Sequence, residues 1–260
     1  MPAPRVLVLR APGTNCDHET AYAFQQAGAV AELVHINRLL ENPSIAGRFQ
    51  ILCVPGGFSY GDDVAAGRIL GNQIRHHLRD MCAEFKQAQK LILGICNGFQ
   101  VLIKSGVLLE DDSLGPIATL GWNDTGRYED RWVNLAVHGD RCVFLKGIQS
   151  MYVPVAHAEG KFTARDSAML DRLDRQGQLV LRYTGAGAGA DGQVPFPHNP
   201  NGSQRNVAGV CDSTGRVLGL MPHPERHIDP TQHPRWTRGE GQSQGAGLAM
   251  FQNAVNYFRD

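Results

Sequence analysis

Short aliphatic runs, most of them apolar on both faces, recur through the first part of the chain and limit its fold more than any other feature. Arg5-Val6-Leu7-Val8-Leu9, Ala31-Glu32-Leu33-Val34-His35-Ile36, Ile51-Leu52-Cys53-Val54 and Leu91-Ile92-Leu93-Gly94-Ile95 have the length and aliphatic composition of strands. A strand apolar on both faces must be covered on both faces, which is the condition of a parallel sheet with helices above and below. Helical patterns fill the intervals. Asp17 is placed to cap a helix carrying Ala21, Phe24 and Ala27 and closed by Gly28, and a long helix is expected over residues 63–87. The fold class is α/β: a mostly parallel sheet with helices on both faces, plus a small antiparallel addition.

The addition is expected between residues 115 and 162, where short runs broken by Gly, Asn and charged residues suit antiparallel strands and loops lying across the sheet. A short helix over residues 166–175 follows, then a strand over 179–183. Residues 207–211 and 217–221, joined by Asp212-Ser213-Thr214-Gly215, read as a hairpin. A last helix sets Leu248, Phe251, Val255 and Phe258 on one face. The Gly/Ala run over residues 185–192 has no helix after it and is expected to be a surface loop. No repeat or linker divides the chain, so residues 1–260 are read as a single domain with ample length for a core.

Charge excludes some classes of partner. Lys plus Arg number 25 and Asp plus Glu number 25, giving a net charge of +0 and no broad basic footprint for nucleic acid or an anionic membrane. No apolar run is long enough to span a membrane, and the opening run meets Arg10 too soon for a signal segment. The six cysteines form no C-x-x-C pair, suit reduced thiols in a cytoplasmic setting, and are mostly expected to be buried.

One cysteine stands apart. In Gly94-Ile95-Cys96-Asn97-Gly98-Phe99-Gln100 an apolar strand runs straight into a helix, with glycines two before and two after the thiol. Those glycines permit a sharp strand-to-helix turn that lifts Cys96 above the carboxyl edge of the sheet, over a helix N-terminus that favours a thiolate. The same glycines would equally serve close packing around an inert thiol. A base is offered by Met221-Pro222-His223-Pro224-Glu225-Arg226, where the prolines are expected to hold the segment extended and so put His223 and Glu225 on one side. A carboxylate beside imidazole fixes its tautomer and stabilises the imidazolium. A zinc site from His223 and His227 would need a helix across Pro224, so no metal is expected. Oxyanion donors are available from the Asn97 backbone N–H and from the loop Pro55-Gly56-Gly57-Phe58-Ser59-Tyr60, although the glycine pair also suits a plain turn. Asp62-Asp63 is expected to cap the helix that follows.

Gly94 to Gln100 taken with His223-Pro224-Glu225 resembles the class I (triad) glutamine amidotransferases, whose sheet is flavodoxin-like. The resemblance extends to the glutaminase components of phosphoribosylformylglycinamidine synthases. It is carried by Arg10-Ala11-Pro12-Gly13-Thr14-Asn15-Cys16-Asp17, by Pro55 to Asp62, by Asn123-Asp124-Thr125-Gly126-Arg127-Tyr128-Glu129, by His157-Ala158-Glu159-Gly160-Lys161-Phe162 and by Asn199-Pro200-Asn201-Gly202-Ser203. Ala158 and Lys161 stand where Gly and Arg are expected, and residues 185–192 and 232–245 match no motif of the family.

The resemblance implies Cys96 as nucleophile, His223 as general base and acid, and Glu225 as its orienting carboxylate. It implies Gly57 and Asn97 as oxyanion donors, Gln100 as a holder of the glutamine backbone groups, and His157 as a lining residue of that pocket. It further implies a separate subunit without a cofactor of its own. A large synthetase subunit would bind ATP, Mg2+ and formylglycinamide ribonucleotide and receive the ammonia, with a small accessory subunit completing the complex. The chain has no G-x-x-x-x-G-K-[ST] run. Two other classes share the architecture. A stand-alone Cys hydrolase or deglycase would not require the His-Pro-Glu segment, and a regulatory module would typically have lost Cys96 or His223.

Overall fold

A computed structural model describes residues 2–190, 192–240 and 244–259. Positions 1, 191, 241–243 and 260 lie outside them, so the segments 185–192 and 232–245 are described in part. The aliphatic runs form β1 (Arg5–Arg10), β2 (Val30–His35), β3 (Ile51–Val54) and β4 (Leu91–Ile95), which pair in parallel in the order β2-β1-β3-β4. Between them lie α1 (Asp17–Gln26), α2 (Ile36–Glu41), α3 (Arg68–His77) and α4 (Arg79–Gln87), and after β4 comes α5 (Asn97–Ser105). The chain moves one way from β1 to β2 and the other way from β3 to β4. Right-handed crossovers therefore place α1 on one face and α3 and α4 on the other.

The later strands are β5 (Ala118–Gly121), β6 (Glu129–Val137), β7 (Ser150–His157), β8 (Lys161–Ala164), β9 (Leu181–Thr184), β10 (Val207–Cys211) and β11 (Val217–Leu220). β11 adds in parallel beside β4. From there β10, β9, β6 and β7 follow antiparallel, giving a nine-stranded sheet. The expected antiparallel segment therefore continues the main sheet and does not lie across it; among the described residues, β5 and β8 alone make a separate two-stranded ladder. α6 (Ser167–Arg175) is capped by Asp166, whose carboxylate accepts the Met169 N–H at 2.8 Å. α7 (Leu248–Asn256) packs on α1 through an edge-on contact of Phe251 and Phe24, ring centroids 4.9 Å apart.

Three local expectations change. Asp17 does not cap α1; Cys16 stands at the cap, and the buried Asp17 carboxylate pairs with Arg10 at 2.5 Å. The expected helix over residues 63–87 begins at Arg68 and breaks at Leu78, whose backbone (φ −122°, ψ 14°) leaves the helical region. Asp62 does support the start of α3, but by accepting the N–H of Gly67 at 3.2 Å, at the far end of an irregular loop.

The feature that aims the site is the packing of α5 on the sheet. A Cβ on Gly98 would lie 1.8 Å from the Val54 carbonyl oxygen, and one on Gly94 would lie 2.7 Å from that of Gly98. Only hydrogen at both positions lets the first turn of α5 rest on the ends of β3 and β4. Gly98→Ala must push backbone against backbone and is expected to lower stability by about 1–3 kcal/mol. Urea unfolding checks this, and an unchanged midpoint would contradict the packing described.

Candidate active site

The carboxyl ends of β1, β3, β4 and β11 lie side by side along one edge, which includes the β1/β3 position where the strand order reverses; this is the usual ligand edge in open α/β sheets. Cys96 leaves β4 and caps α5 with φ +50° and ψ −105°, a conformation costing a non-glycine residue about 1–3 kcal/mol. It is held there by its N–H, which donates to the Leu220 carbonyl of β11 at 2.7 Å. The buried thiol lies 3.6 Å from the Ala156 carbonyl on β7. Asn97 opens α5, where backbone N–H groups have no acceptor within the helix.

His223 follows β11, and its N–H donates to the Pro154 carbonyl at 2.8 Å. The segment is not extended as expected. Pro224 starts a single helical turn, Pro224–Arg226, because a fixed proline φ suits a first helical position. The turn still folds Glu225 back, and its Oε1 lies 2.6 Å from His223 Nδ1 with both side chains buried. Burial pulls the His223 pKa down, but the Glu225 carboxylate and the neighbouring Cys96 and Cys16 outweigh it, and the imidazole is raised well above its ordinary value. With Nδ1 turned to the carboxylate, Nε2 is left buried without a hydrogen bond of ordinary geometry among the described residues.

The glycine loop stands between these two groups. Gly57 (φ +143°) bridges to Thr14, and the Ser59 N–H donates to the Asn97 side-chain oxygen at 3.2 Å, tying the loop to the start of α5. Gln100 is buried beside Asn97, but its amide is engaged on both sides. Its oxygen accepts from Asn97 Nδ2 at 2.9 Å, and its nitrogen donates to the Glu159 carbonyl. These two bonds fix the amide and still leave one N–H and one oxygen lone pair for a substrate. His157 is buried, with Nδ1 at 3.1 Å from the Asn123 side-chain oxygen; burial, with a smaller push from His223, lowers its pKa to about 3, so it is neutral. His227 points elsewhere, bonding the Tyr152 carbonyl at 2.7 Å and packing on Trp132. A cleft of about 480 Å³ lined by Asp124, Lys161, Phe196 and Asn199 contains none of these groups.

A buried thiol at a strained strand–helix turn, an imidazole in its electrostatic reach and a carboxylate bonded to that imidazole form a nucleophile–base–acid set. Residues 3–258 match the model of the CobB/CobQ-like glutamine amidotransferase domain. The chain belongs to that family. Among curated members it is 46% identical over 258 residues to the phosphoribosylformylglycinamidine synthase subunit PurQ of Dehalococcoides mccartyi, covering 98% of each chain. It is 42% identical to the PurQ subunit of Methanococcus maripaludis, covering 98% of this chain and 97% of that one. Among solved structures it resembles a chain of PurLQS from Thermotoga maritima, with a TM-score of 0.73, 29% identity and coverage of 98% and 99%.

Sequence reasoning missed the part of four residues at this site. Asp62 and Glu159 brace it: Asp62 accepts from Asn97 Nδ2 at 3.1 Å, and Glu159 accepts the Ala66 N–H at 3.3 Å. Tyr128 stacks on Phe58 at its rim, near enough to feel the charges of Cys96 and His223. Cys16, read only as a small buried residue, lies against His223. Its loop follows β1, and that position at the carboxyl edge was the available signal.

Glu225→Gln removes the carboxylate that counters burial, so the charged imidazole loses its main support. The His223 pKa is expected to fall by about 1–3, as for loss of a close opposite charge. Titration of the histidine Cε1 resonances by NMR measures it, and an unmoved pKa would contradict the pairing.

Proposed function

We propose that this chain is the glutaminase subunit of a phosphoribosylformylglycinamidine synthase. It hydrolyses glutamine to glutamate and ammonia and passes the ammonia to a synthetase subunit, which uses ATP to convert formylglycinamide ribonucleotide to formylglycinamidine ribonucleotide in purine synthesis. The carrying observation is the strained Cys96 elbow beside the buried His223–Glu225 pair. Likeness to curated PurQ subunits over nearly the full length supplies the specific reaction and disfavours a stand-alone hydrolase or deglycase.

In this reading Cys96 Sγ attacks the side-chain carboxamide carbon of glutamine with the thiol proton already held on His223 Nε2. The negative oxygen that develops is met by the backbone N–H groups of Asn97 and Gly57, donors of a kind worth roughly 10²–10³ in rate. His223 returns the proton to the departing nitrogen, ammonia leaves, and a γ-glutamyl thioester remains on Cys96. Water, deprotonated by the same imidazole, then releases glutamate and restores the thiol. Glu225 fixes the imidazole tautomer and stabilises its charged form. Neutral His157 suits the wall of the glutamine pocket. Gln100 contributes by holding Asn97, and its remaining N–H and oxygen lone pair suit the backbone groups of the amino acid.

The nine-stranded sheet runs through both halves of the chain, which supports a single domain over its length. ATP and Mg2+ belong to the synthetase partner, and a small third subunit fits the relationship to the PurLQS assembly. Six free, buried cysteines suit a reducing cytoplasm, and among the described residues no helix is long and apolar enough to cross a membrane.

The test separates nitrogen donation from synthesis. In the reconstituted complex, Cys96→Ala is expected to cut glutamine-dependent product formation by more than about 10³-fold, in line with loss of a triad nucleophile, and to leave the ammonia-dependent reaction largely intact. Equal loss with both nitrogen sources would overturn the proposal.

A further inference from the structure

The groups around His223 include a second thiol. Cys16 ends the loop after β1, and its N–H donates to the Gly56 carbonyl at 3.2 Å, so it is fixed to the glycine loop after β3. A Cβ on Gly56 would lie 2.8 Å from His223 Cε1 and 3.0 Å from Cys16 Sγ. The missing side chain of Gly56 thus opens the slot in which the thiol and the imidazole edge meet. The sulfur is held from the other side as well: Arg226 Nη2 donates to it at 3.2 Å, while Arg226 Nε donates to Glu19 at 2.8 Å.

Ligand atoms of Cys16, Glu19, His223 and Glu225 lie within 4.8 Å of one another, a donor set that could hold a metal ion. The Arg226 guanidinium already bonds two of the four and supplies the cation of the cluster, so the arrangement is a protein-built wall. Burial keeps the Cys16 thiol protonated, raised above the usual thiol value against the opposite influence of His223 and Arg226. A neutral thiol can support a charged imidazole without taking its proton.

We infer that Cys16 is a positioning residue for His223, a second, non-nucleophilic thiol that fixes the imidazole edge and favours its protonated form through contact in the Gly56 slot. The inference rests on the triad reading above and assigns Cys16 no contact with substrate. The charged and titratable groups facing His223 are Glu225 on its own turn, Arg226 and Glu19 behind Cys16, Cys96 on the elbow, His157 on β7 and Tyr128 at the rim. Of these, Glu225, Cys96 and Cys16 favour the charged ring, and His157, kept neutral by burial, does not compete. Removing Cys16 therefore makes the protonated imidazole harder to keep as pH rises.

Steady-state glutaminase activity of the reconstituted complex across the neutral and alkaline range tests this. Cys16→Ala is expected to lower kcat roughly tenfold, a part of the roughly 10²–10⁴ that an acid–base group supplies, and to leave KM for glutamine within about twofold. Its alkaline limb is expected to move to lower pH, and Cys16→Ser, which keeps a polar hydrogen, to restore most of both. Wild-type kcat and limb in Cys16→Ala would overturn the inference, as would an equally impaired Cys16→Ser with an unmoved limb. Should the alanine variant fail to fold, the His223 Cε1 resonance of Cys16→Ser decides: it is expected to shift, and an unmoved resonance counts against the contact. In the wild-type chain Cys96 is expected to be alkylated by a glutamine-like diazo-ketone. Absence of that labelling would sink the triad reading itself, whereas labelling with no effect of Cys16 substitution would sink only this inference.

Discussion

The first turn of α5 touches the ends of β3 and β4, and most of the site follows from that contact. With Gly98 against the Val54 carbonyl, the chain has no room for a gradual exit from β4, so Cys96 takes a positive φ that a thiol-bearing residue would otherwise avoid. The strain is sustained because the surroundings fix it at several points, among them the Cys96 N–H bond to β11 and the Asn97 side chain tied to Ser59, Asp62 and Gln100. The sulfur, the N-terminal amides of α5 and the glycine loop of β3 are thereby brought to one place before any ligand arrives. That is preorganisation in the structural sense: the geometry is set by folding.

Electrostatics divide the three histidines near this edge. His223 and His157 are both buried, and burial alone would neutralise each. Only His223 has a buried carboxylate at hydrogen-bond distance, and it is the one raised; His157, whose ring partner is an amide oxygen, is lowered. His227 bonds a backbone carbonyl, and it too is lowered, first by burial. A raised imidazole and a lowered one thus stand in the same neighbourhood, with the Glu225 carboxylate the largest of the influences that raise His223.

Much of this was legible in the sequence because its physical causes are local. The inner parallel strands β1, β3 and β4 could be read because each is covered on two faces and is therefore aliphatic along its buried length, and the elbow because glycines flank the thiol at the required spacing. The His223–Glu225 pair was found from the right residues but with the wrong backbone, since proline at a first helical position favours a turn as readily as it blocks a helix. The break at Leu78 was not legible, because no Gly or Pro lies between Ile74 and Phe85 and both halves bury the same kind of face. The β6–β7 ribbon was misplaced because its mixed burial resembles that of a surface hairpin, although it closes the end of the main sheet. For Cys16 the sequence offered only a place in the loop after β1; its meeting with His223 depends on β1 and β3 being neighbours, a property of strand order.

The central claim is that the strained thiol of Cys96 becomes acylated by glutamine. Acid quench of the complex during turnover with radiolabelled glutamine tests it most directly, followed by peptide mapping and treatment with hydroxylamine. Label is expected on the peptide bearing Cys96 alone, released as γ-glutamyl hydroxamate. Label on Cys16 or another thiol, or glutamate formed at full rate while hydroxylamine traps no hydroxamate, would contradict the account.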